Sequence, residues 1–336
     1  MNERNGFIRV GPAVVAAAAL LLAAGNVACD GDDRSEQPTT RPAAAQPEAP
    51  ATRPVRYGKA RIRANLADTR IDESSGLVAG RRNPAVFWTH NDSGGRPWLF
   101  AIDREGRTVA TLTVRGAVNR DWEDIGAFTR DGRAWLLIAD TGDNRRRRDD
   151  VRVYLLPEPA IPPAGEHDDE PTPAELTGEV AVTVPLRYAD GPEDVEAVAV
   201  DSGGPDAGDE VCYLVSKRGG ARVYALPLPD ATPAAPVVLT PIAKLEEMLW
   251  ATAMDIAPDG GRAVVLSYGS CHVYARRAAA GGADPEPWAD ALSRAPRRVT
   301  VPPLAQREAV AFGSDGATLY VTSEKLPAPL IEIPAE

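Results

Sequence analysis

The sequence predicts an all-β protein: a β-propeller of four-stranded antiparallel blades, with five blades closed into a ring by an N-terminal strand. Three observations carry this. A short word recurs once per unit, reading Glu73-Ser74-Ser75-Gly76-Leu77, Asp121-Trp122-Glu123-Asp124-Ile125, Asp194-Val195-Glu196-Ala197-Val198, Trp250-Ala251-Thr252-Ala253-Met254 and Gln306-Arg307-Glu308-Ala309-Val310. The apolar runs after each word are short, β-rich and broken by Asp-Gly and Gly-Gly turns, which disfavours helices. Repetition at this spacing is radial, and it places equivalent residues around one axis.

The elements follow in order. The first unit has strands at Glu73–Ala79, Ala85–Thr89, Trp98–Asp103 and Thr108–Val114. The second has Glu123–Phe128, Ala134–Ala139, Val151–Leu156 and Glu179–Leu186, and the third Glu196–Val200, Val211–Val215, Arg222–Leu226 and Pro236–Ala243. The fourth has Thr252–Ala257, Ala263–Ser267, His272–Ala275 and Arg298–Val301. The fifth, with Glu308–Phe312, Thr318–Thr322 and Leu330–Ile333, is one strand short. Ala60–Leu66, just ahead of the first repeat, can supply that strand and remove two open sheet edges. A count of six blades stays open if the long second or third unit hides another. Two long polar connections, Pro157–Glu175 and Ala278–Arg297, read as solvated loops on the far face, the second with a short helix near Trp288.

Ahead of the repeats, Arg4 and Arg9 precede an apolar stretch from Ala13 to Ala24 that is short for a bilayer span. Residues 1–28 therefore read as a signal peptide. Cys29, after the small residues Val27 and Ala28, resembles the lipidated Cys of a bacterial lipoprotein lipobox. That resemblance implies lipidation at Cys29 and a domain anchored at the bacterial cell envelope; secretion with cleavage after Ala28 is the alternative. Residues 29–58 are rich in Pro, Ala, Thr and charge without apolar period, and form a tether. Residues 59–336 form the propeller, expected to be a monomer.

The formal net charge is −11, and no basic face or stacking-aromatic motif stands out, so a nucleic-acid partner is not expected. Cys212 and Cys271 lack zinc-ligand spacing and are expected to stay unbridged.

Blade topology brings the starts of first strands and the ends of second strands to one mouth. Glu73, Asp121, Glu123, Asp194, Glu196 and Glu308 come from the first set; Asn91, Asp92, Asp143 and Asn144 come from the second. Two carboxylates about 5 Å apart repel by roughly 3 kcal/mol at an effective dielectric near 20. A ring of them needs protons, cations or a metal. Carboxylate and carbonyl oxygens suit Ca²⁺ better than Zn²⁺. The alternative is a structural network in which Arg120, Arg307, Lys217, Arg218 and Lys325 neutralise the acids. His90, beside the acids, is a candidate general base, and Lys217 and Arg218 are candidates to hold an anionic group. His167 and His272 are placed away from the mouth. Neither G-x-S-x-G nor H-E-x-x-H occurs.

Asp194-Val195-Glu196-Ala197 through Val215, and Glu308-Ala309-Val310 through Glu324, resemble β-propeller phytases and the wider esterase-like phytase group. The words Glu-Ser-Ser-Gly-Leu, His-Asn-Asp-Ser-Gly and Asp-Trp-Glu-Asp are also similar to those of a large set of bacterial propeller proteins. The resemblance covers roughly residues 60 to 336. It implies a calcium-lined central channel and hydrolysis of an ester, lactone or phosphoester. Ala197 and Ala309 stand where phytase strands often carry Gly, and a dense Lys and Arg phosphate cradle is not evident. The other reading is a non-catalytic envelope module that binds a protein or glycan.

Overall fold

Residues 55–163, 172–202, 210–278 and 285–336 are described by a computed structural model of the chain. The signal peptide, Cys29, the tether as far as residue 54, and His167 lie outside the described residues. Among the described residues the strands form five sheets, each a blade, with sequential strands pairing outward from the axis.

Blade I holds Ser74–Ala79, Phe87–Asn91, Trp98–Ile102 and Thr108–Arg115. Blade II holds Trp122–Arg130, Arg133–Asp140, Arg152–Pro157 and Val182–Tyr188. Blade III holds Val195–Asp201, Val211–Ser216, Arg222–Pro227 and Pro241–Lys244. Blade IV holds Ala251–Ile256, Arg262–Ser267, Cys271–Ala275 and Arg297–Val299. Blade V holds Arg307–Phe312, Leu319–Ser323 and Pro329–Ile333, and its outermost strand is the N-terminal Arg61–Asn65. That closing strand pairs antiparallel with Pro329–Ile333. The seam runs further, because Gly58 donates to the Pro334 carbonyl and Glu336 to that of Arg56.

The second and third units are long for a reason the sequence did not show. Ala174–Glu179 pairs in parallel with Thr108–Arg115 and becomes the fifth strand of blade I. Val237–Leu239 does the same for blade II, beside Val182–Tyr188. Each long unit thus lends a strand to the preceding blade. The expected strand Glu179–Leu186 accordingly starts later, at Val182, and Pro236–Ala243 divides in two. The lent strand Ala174–Glu179 alternates half-buried and exposed residues, as an edge must, whereas the inner strands Ser74–Ala79 and Ala251–Ile256 are buried throughout.

Five apolar clusters lie between successive blades. Leu136 and Ile138 pack towards blade I, while Leu137 and Ala139, on the opposite face of the same strand, pack towards blade III. Period-two alternation with both faces buried explains why these strands read as unbroken apolar runs. The ring closes through Leu77, Phe87 and Phe100 of blade I against Ala309, Tyr320 and Leu330 of blade V.

Two buried acids fasten the inner strands. Asp124 Oδ2 accepts the amides of Val198 in blade III at 2.8 Å and Met254 in blade IV at 3.0 Å, while Oδ1 accepts Ile125 at 2.9 Å. Asp255 Oδ2 accepts Phe312 of blade V at 2.8 Å and Oδ1 accepts Ile256 at 2.8 Å. On the far face Glu158 is equally structural, although the stretch containing it reads as a solvated loop. Its carboxylate accepts the amides of Arg81, Arg82 and Asn83 and the Trp88 indole.

The single helix among the described residues, Trp288–Leu292, stands where a short helix was expected, and it is too short to cross a membrane. Trp288 donates to Asp201 Oδ2 at 3.0 Å and so fastens the helix to blade III. Cys212 and Cys271 are buried and free.

Candidate functional site

Every inner strand carries a β-bulge at its start, at the mouth. In blades II to V the residue left out of the ladder is Glu123, Glu196, Thr252 or Glu308. In blade I the irregularity falls one residue later, at Gly76, whose φ of +67° suits glycine. A bulge frees a side chain from its ladder position and re-aims it. Repeated around an axis, it re-aims Glu123, Glu196 and Glu308 from equivalent positions, whereas the hydroxyls of Ser75 and Thr252 donate to the Glu123 and Arg307 carbonyls of the next blade.

The acids gather on the blade I–III side. Asp92, Asp121 and Glu123 bring carboxylate oxygens within 4.8 Å of one another, and so do Glu123, Asp194 and Glu196. Glu123 belongs to both sets and joins five acids from three blades into one cluster. It is only 6 % exposed, and no hydrogen bond or ion pair among the described residues reaches its carboxylate. Gly142 makes room, since a Cβ there would collide with Glu123 Oε1 and stand 2.6 Å from Asp121 Oδ2.

The electrostatics follow from this crowding. Burial, then Glu196, Asp92 and Asp121, push Glu123 well above the usual carboxylate range. Burial and the Asp121 charge raise Asp92 to about 7. Burial also raises Glu196 well above its ordinary value, although Lys217 opposes this. Lys217 Nζ lies 2.5 Å from Glu196 Oε1. Burial alone would lower the pKa of its ammonium, but Glu196 outweighs that and holds it firmly charged.

Neutralisation by basic neighbours covers only part of the ring. Of the five cations expected to serve, Lys217 pairs with Glu196, and Arg218 Nε stands 3.8 Å from Asp194 Oδ2. Arg120 turns instead to Asp150, and Arg307 donates to the Tyr268 carbonyl at 3.1 Å. Lys325 makes no ion pair among the described residues. Asp92, Asp121 and Glu123 have no cationic side chain within ion-pair distance among the described residues, and Asp92 Oδ1 and Asp194 Oδ2 are buried without a hydrogen-bond partner.

The other expected residues take separate places. Glu308 lies outside both sets of three; its Oε1 accepts the Tyr268 hydroxyl at 2.6 Å, and burial raises it to about 7. Glu73 is exposed beside the cluster. Asn91 shapes the entry turn by donating to the Arg70 carbonyl at 2.6 Å. Asp143 gives its amide to Asp194 Oδ1 at 2.9 Å and accepts the Arg148 amide at 2.7 Å. Asn144 accepts Arg218 at 3.2 Å through its side-chain oxygen.

His90 lies beneath the mouth, fully buried between blades I and II. Its Nδ1 is 3.0 Å from the Asn91 carbonyl and its ring meets Trp122 edge-on at 5.7 Å. Burial lowers its pKa to about 4, so the imidazole is neutral. His272 is buried on an outer strand, in keeping with its expected place.

Asp124 and Asp255 do not stand out as functional in the sequence, whereas Tyr268 follows a second-strand end, where side chains reach the mouth. The Asp-Trp-Glu-Asp word was the available signal for Asp124: its fourth letter breaks the small or apolar pattern Gly76, Ala197, Ala253 and Ala309 of the other repeats. Comparison with protein-family models and with curated proteins returned no match.

Proposed function

We propose that the mouth binds a divalent cation of the Ca²⁺ class through Asp92, Asp121, Glu123, Asp194 and Glu196, and hydrolyses an anionic ester or phosphoester there. The observation that carries this is Glu123: buried, shared by both sets of acids and left without a counter-charge. Protonation alone would offset such crowding only at the expense of leaving a buried oxygen such as Asp92 Oδ1 without a partner. An all-oxygen donor set of this kind fits a hard cation.

A bound cation would polarise a substrate oxygen or acidify a water. The chain's own residues would do the rest. Lys217, held against Glu196, orients that carboxylate. Arg218, partly exposed and shared between Asn144 and Asp194, is placed to receive an anionic group at the rim. Asp143 fixes Asp194 through its amide. His90 acts in this scheme as a neutral support, bonded to the carbonyl of the residue before Asp92. The resemblance to esterase-like phytases supports the same class of chemistry. Export and lipidation at Cys29, with the domain held at the cell envelope, complete the reading and rest on Arg4, Arg9 and the apolar stretch that follows.

Calorimetric titration with CaCl₂ tests the metal, and an ester and phosphoester panel with and without EDTA tests the reaction. Glu123→Gln is expected to abolish calcium binding; unchanged affinity in that variant refutes the site. Calcium binding without EDTA-sensitive turnover supports instead a module that recognises an envelope protein or glycan.

A further inference from the structure

The acids occupy only one side of the mouth, and blade IV presents something different. Trp250 directly precedes the inner strand Ala251–Ile256, the position held by Asp121 and Asp194 in blades II and III. The ring therefore sets its indole on the rim that carries the acids. Trp88, Trp122 and Trp288 are fully buried, whereas Trp250 is 52 % exposed and its neighbour Leu249 69 %. Trp250 also holds a φ of +63°, a left-handed conformation unfavourable to a bulky residue and free for glycine. Strain of this kind persists where surrounding structure or function holds it.

The indole reaches the acid cluster through Tyr268 and Lys217, the partner of Glu196. Its ring centroid is 6.1 Å from that of Tyr268, whose hydroxyl donates to Glu308 at 2.6 Å. Lys217 Nζ stands 5.0 Å from the Tyr268 ring, and the Arg218 guanidinium carbon 6.0 Å from the Trp250 ring. An indole, a phenol and a guanidinium thus offer three flat groups beside cationic nitrogen and a proposed metal. Aromatic faces pair with a flat π-system in offset-stacked or edge-on geometry, and a guanidinium adds a cation–π contact.

We infer that Trp250 and Tyr268 form a ledge that binds a planar aromatic group, so that the ligand of the mouth is an aryl phosphate or aryl carboxylate whose anionic end points to Arg218 and the acid-bound cation. The inference rests on the metal reading for the anionic end only; the ledge itself rests on the aromatic geometry.

The test uses the full chain, with phenyl phosphate, methyl phosphate and glucose 1-phosphate as probes. Affinities are measured by calorimetry with and without CaCl₂, and calcium affinity is measured in the same samples. Phenyl phosphate is expected to bind about tenfold more tightly than either other phosphate, the scale of one aromatic contact. Trp250→Gly should erase that preference, leave calcium affinity unchanged and melt no lower than the wild type, because it relieves the backbone. Equal affinity for all three phosphates overturns the ledge, as does a preference that survives in Trp250→Gly. A melting temperature well below wild type in that variant makes Trp250 a structural residue and also overturns it. If the preference is present and calcium does not bind, the metal reading fails and the ledge stands.

Discussion

Asp124 offers the sharpest test of how the ring is held. Its carboxylate, buried at 0 % exposure, accepts amides from three blades: Ile125 in II, Val198 in III and Met254 in IV. Asp124→Ala leaves three buried donors without acceptors. At about 1–3 kcal/mol for each orphaned group, the gross loss is roughly 3–9 kcal/mol. Part is returned, because burial raises the Asp124 pKa well above the ordinary range and the variant removes that unfavourable charge. A net loss of about 3–5 kcal/mol is expected, a large fraction of the ~5–15 kcal/mol that holds a typical domain. Asp124→Asn separates geometry from charge. Its carboxamide oxygen can still accept Val198 and Met254 and fails only at Ile125, so about 1–3 kcal/mol is expected. Equilibrium urea unfolding followed by tryptophan fluorescence reads both. A loss below about 1 kcal/mol for Asp124→Ala, or equal losses for the two variants, refutes the idea that this acid pins three blades.

Other outcomes follow from the same features. Burial raises Asp92, Glu308 and Asp255 to about 7, against about 4 in an unfolded chain, so between those values the native state binds more protons and stability falls as pH rises through 7. Melting temperature in EDTA should therefore drop between about pH 5 and 7 and level off above, with calcium restoring it at the upper end; a flat profile contradicts the crowding. Gly142→Ala should abolish calcium binding in calorimetry while keeping the native circular-dichroism spectrum, since its methyl would occupy the space of Glu123 and Asp121. A chain beginning at residue 67 lacks Arg61–Asn65 and exposes the edge of Pro329–Ile333, so it should self-associate in size-exclusion chromatography.

Much of the architecture is legible in the chain because radial repetition leaves a periodic mark. The five words set the five inner strands, and the missing strand of the last unit pointed to Arg61–Asn65. The lent strands were not legible. Ala174–Glu179 and Val237–Leu239 have the composition of ordinary outer strands, and nothing local specifies which blade they join. At the mouth, repeated letters told which acids converge, yet not which cations would reach them. Arg120 and Lys217 read alike in sequence; only the fold sends one to Asp150 and the other to Glu196. Asp124 and Glu158 were hidden for a further reason, that a buried acid serving backbone amides looks like any surface acid until its donors are in place.

The lent strands also divide the ring into unequal sectors. After Arg152–Pro157 the chain leaves blade II, lies along blade I as Ala174–Glu179 and returns to blade II as Val182–Tyr188. It repeats the stitch between blades III and II through Val237–Leu239. Blades I, II and III are thereby sewn together by extra covalent crossings; blade V is tied to blade I through Arg61–Asn65, and blade IV has only its single connections to III and V. Deuterium should enter the backbone of IV first, and Trp250 and Tyr268 belong to that blade. The carboxylate cluster sits wholly in the sewn arc, so the molecule can breathe on one flank of its opening while the opposite flank keeps its spacing.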